Sequence, residues 1–67
     1  MNVREILALA RRHVSNGAAM ESSARLCLSD AIQAFENGHL DEAHASAVRS
    51  LRYSVGIFSP DYQRAAR

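Results

Sequence analysis

The stretch Asn37-Gly38-His39-Leu40-Asp41-Glu42-Ala43 decides the fold. It reads as the stop of one helix, a tight turn and the start of another. Gly38 follows a periodic apolar run. It supplies the left-handed conformation that ends a helix without a Cβ penalty. Asp41 then suits the N-cap of the next helix, and Glu42 adds negative charge at the positive end of its dipole. Leu40, just before that cap, is placed to fold back on Ala45 as a hydrophobic staple. A turn this short makes the flanking helices antiparallel neighbours.

Upstream of the turn, Met20, Ala24, Leu28, Ala31 and Phe35 fall on one helical stripe, with Cys27 and Ile32 at its edges. This predicts a helix over about 20–37. Glu21 and Arg25 make an i,i+4 ion pair on it. Leu26 lies on the opposite face and wants a partner of its own. Downstream, Ala43, Ala47, Leu51, Val55 and Phe58 form the stripe of a helix over about 42–58. Ser46, Ser50, Tyr53 and Ile57 run beside it as a second row, so this helix can touch two neighbours. Gly56 weakens its last turns by about 1 kcal/mol relative to Ala, and Pro60 stops it.

A further helix is predicted over about 2–15. Asn2 and Glu5 have the spacing of a capping box. Val3, Leu7, Ala10 and Val14 form the apolar stripe, with Ile6 beside it, while Leu9 points away. Arg11, Arg12 and His13 fall in the last turn, where cations suit the dipole. A break at Asn16-Gly17 separates this helix from the next; one kinked helix from Asn2 to Asn37 is the alternative. At the other end, Ser59-Pro60-Asp61 is a fresh helix start. The tail 60–67 is ordered only if Tyr62 docks on the body, and frays otherwise. The expected fold is all-α: an antiparallel helical hairpin closed by an N-terminal helix, as a three-helix bundle or a dimeric helical bundle.

Sixty-seven residues make one small domain. A chain of this length buries only about 60% of the surface it exposes when unfolded. Cys27 is the single cysteine, so no disulfide can add stability, and a free thiol suits a reducing cytoplasm. A homodimer is the expected source of extra buried surface. Charges at Arg4 and Glu5 interrupt any signal-like core. No run reaches the roughly 18 apolar residues of a membrane span. The expected location is therefore cytoplasmic, without membrane contact.

Gly38-His39-Leu40-Asp41-Glu42-Ala43 resembles the turn of a tetratricopeptide repeat. Gly38, Leu40 and Ala43 match the glycine, large residue and alanine that mark the step between the two helices of that repeat. Ala47, Ser50 and Val55 depart from the bulky residue, small residue and proline expected further on. The resemblance covers about a third of the chain. It implies a protein-binding scaffold, and a lone repeat would need further helices to cover its apolar face.

The chemistry-bearing residues are few. His39 and His44 flank Asp41 and Glu42, which makes them the only candidates for a metal site. Their spacing is not the i,i+4 of helical ligands, so turn chemistry is the simpler reading. Cys27 reads as a small core residue. No serine has a nucleophile-elbow setting and no glycine-rich phosphate loop occurs. No enzyme activity and no cofactor are expected. All eight basic residues are arginines, and the net charge is only +1. The leading expectation is a non-enzymatic protein-interaction module. Its surface would be a groove lined by Leu26, Ser46, Ser50, Tyr53 and Ile57. The alternative is a nucleic-acid-binding dimer using Arg49, Arg52, Arg64 and Arg67; a metal-binding helical protein is the third reading.

Overall fold

The computed structural model describes residues 1–15 and 21–67, with Glu21 described by its backbone alone. The chain is all-α. Its helices are α1 (Val3–Ser15), α2 (Glu21–Glu36), α3 (Leu40–Val55) and α4 (Pro60–Ala66). The predicted break at Asn16-Gly17 and the stripe position Met20 lie outside the described residues, as does the side-chain pairing of Glu21.

α3 is the central helix and packs against α1, α2 and α4. Its buried face is made of Ala43, Ala47, Ser50, Leu51 and Ser54. Ala24, Ala31 and Ala34 of α2 and Ile6, Leu7, Ala10 and Val14 of α1 are buried with them. Val3, Leu9, Leu28, Ile32, Phe35, Val48, Val55 and Tyr62 pack around this core, partly exposed. Leu9, although off the α1 stripe, therefore packs against the core as well. Most core positions are alanine, so the helices approach closely while each side chain removes little area from water. Ile6 and Leu51 are the large apolar side chains that are completely enclosed. The radius of gyration is 10.3 Å, against about 11 Å expected for a compact chain of this length.

The ends of the helices follow local chemistry closely. At the start of α1 the Asn2 N–H donates to Glu5 Oε1 at 3.1 Å and the Glu5 N–H donates to Asn2 Oδ1 at 2.9 Å. This is the reciprocal capping box that the spacing predicts. α2 ends in a Schellman motif. Gly38 has φ +79°, the His39 N–H donates to Ala34 O at 2.8 Å, and the Gly38 N–H donates to Phe35 O at 3.1 Å.

Three expectations around α3 need correction. His39, not Asp41, is its N-cap, because the His39 carbonyl accepts from the Ala43 N–H at 2.9 Å. No side chain caps this end; Asp41 and Glu42 sit in the first turn, where they still oppose the dipole. Leu40 is consequently the first helical residue and is half exposed, so it forms no staple. At the other end α3 stops at Val55, three residues early. Gly56 is the C-cap with φ +87° and ψ 164°, and its N–H donates to Arg52 O at 3.1 Å. The stripe is lost beyond that point, and Phe58, expected in the core, is 86% exposed.

The tail is helical. Ser59 takes the extended N-cap conformation and Pro60 the first helical position, although the Ser59 hydroxyl makes no cap bond. Ala65 is buried and Tyr62 packs against the core, which is what a seven-residue helix needs to persist.

Candidate functional site

The expected groove does not assemble as one surface. Ser50 is fully buried, and its hydroxyl donates to the Ala24 carbonyl of α2 at 2.8 Å. It is therefore a fastening between α2 and α3 and is removed from solvent. Leu26 is 69% exposed. It lies about 200° around the α2 axis from Ala24, so it faces away from α3. Ser46 lines an open polar groove between α2 and α3, together with Asp30, Gln33, His39, Glu42 and Arg49. Tyr53 is half-buried on α3, and Ile57 is half exposed in the α3–α4 turn.

A different groove runs between α1 and α2. Leu7, Ile32 and Phe35 form its apolar floor, Arg4, Ala8 and Arg11 its α1 wall, and Glu36 closes one end. Its volume is about 350 Å³. The Arg4 guanidinium lies 5.9 Å from the centre of the Phe35 ring, at the outer limit of a cation–π contact. Arg4 and Arg11 are exposed, and no carboxylate among the described residues pairs with either. The sequence holds the signal for this groove, since Arg4, Ala8 and Arg11 share a helix face. The antiparallel pairing that brings Ile32 and Phe35 beside them is not a local property.

The arginines proposed for anion contacts divide. Arg49 belongs to the polar α2–α3 groove beside Asp30. Arg52 is exposed in the last turn of α3. Arg64 donates to Asp61 Oδ1 at 2.8 Å, and Arg67 ends the chain, exposed. Asp61 also meets His13 across the bundle, with His13 Nε2 2.9 Å from Asp61 Oδ2. A carboxylate only accepts, so the imidazole nitrogen is the donor. This bond ties the C-terminal turn of α1 to the first turn of α4, a contact that the dipole reading of His13 did not include.

Asp61 is held below its ordinary carboxylate range, first by the His13 hydrogen bond and then by that of Arg64, with burial opposing both. A depressed folded-state pKa means stability that is present above the unfolded value of 3.8 and is lost as pH falls through the folded value. The stability difference between the native chain and Asp61→Asn should therefore shrink as pH is lowered from 6 to below about 3. Urea titrations across that range read it. A difference that stays constant with pH would assign the cost of the substitution to packing instead.

His39 Nδ1 lies 3.6 Å from Glu42 Oε2 on the surface of the turn, and His44 is half-buried further along α3. Among the described residues no three His, Cys, Asp or Glu side chains gather in a metal-binding arrangement. Cys27 is free and half-buried. Among the described residues no helix is long and apolar enough to cross a membrane. Comparison with protein-family models, curated proteins and solved structures finds no match to this chain.

Proposed function

We propose that the chain is a small non-enzymatic interaction module that receives an acidic amphipathic helix of a partner protein in the α1–α2 groove. The observation that supports this is the groove's composition. An apolar floor of Leu7, Ile32 and Phe35 is flanked by Arg4 and Arg11, with small Ala8 between them. Ala8 leaves room for a helix backbone to approach. Arg4 and Arg11 are seven residues apart, about 10 Å along α1. Carboxylates at matching i,i+7 positions of an incoming helix would complement them. Recognition of this kind reads as apolar anchors at i, i+4 and i+7 with charges at the rim. Among the described residues of α2, Leu26 is the one exposed large apolar side chain, so the outer face of that helix in a second copy offers no such row. The resemblance of the turn Gly38-His39-Leu40-Asp41-Glu42-Ala43 to that of a tetratricopeptide repeat points the same way, because such repeats serve as protein-binding scaffolds.

The test uses a labelled synthetic helix with an apolar i, i+4, i+7 row flanked by Glu, and its Lys-flanked counterpart. The acidic peptide should bind, the basic one should not, and Ala8→Glu should abolish binding with the circular dichroism spectrum unchanged. Equal binding of the two peptides, or none at high micromolar protein, rejects the reading. Light scattering over the same concentrations separates peptide capture from self-association.

A further inference from the structure

The two ends of the bundle carry opposite charge, and one of them also presents an aromatic ring. α1 and α2 pair with Arg4 beside Phe35, while His13 meets Asp61. One end of the bundle therefore gathers the start of α1, the end of α2 and the start of α3, with Glu5, Glu36, Asp41 and Glu42 against Arg4. The other gathers the end of α1, the end of α3 and all of α4, with Arg12, Arg52, Arg64 and Arg67. Against these arginines stand Glu21, at the start of α2, and Asp61, which is already held by His13 and Arg64. Of the acids at the far end, Asp41 and Glu42 lie about 15–17 Å from Arg52 along α3, and Glu5 about 10 Å from Arg12 along α1. The separation along α3 is about twice the Debye length of about 8 Å in physiological salt, and that along α1 just exceeds it. The small overall charge therefore understates the field at the basic end.

Phe58 sits at this basic end. It occupies the turn from Gly56 to Ser59, which is closed by the Ser59 N–H donating to Gly56 O at 3.2 Å. Gln63 Nε2 donates to Ile57 O at 3.4 Å and ties the same turn to α4. The ring is 86% exposed on a backbone that is already hydrogen-bonded in place. An exposed aromatic among arginines is the pairing that binds single-stranded nucleic acid: guanidinia follow the phosphates while an unstacked base lies on the ring. A duplex keeps its bases stacked and gives such a ring nothing to hold, and an acidic peptide has no base to lay on it.

We propose that the end of the bundle formed by Arg12, Arg52, Phe58, Arg64 and Arg67 binds single-stranded nucleic acid, with Phe58 as its stacking platform. This surface is separate from the α1–α2 groove and does not depend on the protein-docking reading. Fluorescence anisotropy with a short labelled oligothymidylate tests it, with a duplex of equal length and a polyglutamate peptide as competitors. The single strand should bind at low salt and outcompete both. Engaging about four phosphates predicts a slope of log affinity against log salt near −3. Phe58→Ala should weaken binding roughly 5- to 100-fold, without changing the circular dichroism spectrum. Arg12→Ala with Arg67→Ala should make the slope shallower by about 1.4, two phosphates at about 0.7 each. Two results overturn the proposal: no binding at low ionic strength, or Phe58→Ala binding as well as the native chain. Duplex or polyglutamate competing as strongly as the single strand overturns it too, and marks the basic end as a general anion or acidic-protein surface.

Discussion

Leu51→Ala should remove a large part of the stability of this protein. Leu51 is completely enclosed in the last third of the helix that touches all three others. Truncating a buried leucine costs about 2–5 kcal/mol, the transfer of its methyl groups plus the cavity left behind. The whole stability of a chain this long is roughly 3–10 kcal/mol. The effect is amplified by the company Leu51 keeps. Ala10, Ala24, Ala31, Ala43 and Ala47 are buried around the core, and alanines cannot rotate to fill a void. Urea unfolding followed by circular dichroism should show a midpoint shifted far toward zero, or a chain unfolded in water. A loss below about 1 kcal/mol would mean that the helices collapse onto the gap, against the rigid alanine packing.

The second large effect tests a sign. Read as a residue inside a helix, Gly56 predicts that Gly56→Ala stabilises by about 1 kcal/mol. The structure predicts the reverse. With φ +87° and ψ 164°, Gly56 occupies a region almost closed to other residues, and forcing alanine there costs about 1–3 kcal/mol. Gly38, at φ +79° in the Schellman position, should cost about 1–2 kcal/mol when changed to Ala. A Cβ at either site would meet no atom within 4 Å, so both costs are backbone strain alone. The two variants measured side by side should both lose stability, Gly56→Ala the more. Stabilisation by Gly56→Ala would show that α3 continues through position 56.

These two glycines also mark how far the sequence could be read. Gly38 ends a strongly periodic run and is followed at once by a new one, so the end of α2 and the hairpin were legible. So was the Asn2–Glu5 box, whose partners are three residues apart. The end of α3 was not, because the apolar period continues formally through Phe58 and Pro60 looked the stronger stop. The local conformation of one glycine outweighed both. The N-cap of α3 was misplaced by two residues for a related reason. Asp41 has the better capping side chain, but the peptide of His39 was already committed by the motif that ends α2. Ser50 to Ala24 and His13 to Asp61 join residues 26 and 48 positions apart, and no local pattern announces such bonds. The expected partner surface suffered most from this. It was built by adding a row on α3 to an outward leucine on α2, and the burial of Ser50 divides it. The apolar α1–α2 groove and the ring of Phe58 emerge only when the helices are set side by side.

The peptide of His39 has one more consequence. Its N–H serves the last turn of α2 and its carbonyl serves the first turn of α3, so no residue between the two helices is left over as slack. Turning one helix against the other would break both bonds together. The pair should therefore behave as a single cooperative unit in hydrogen exchange, with the amides of α2 and α3 opening together. α1 and α4, each tied to the rest by separate contacts, are the parts with freedom to yield first.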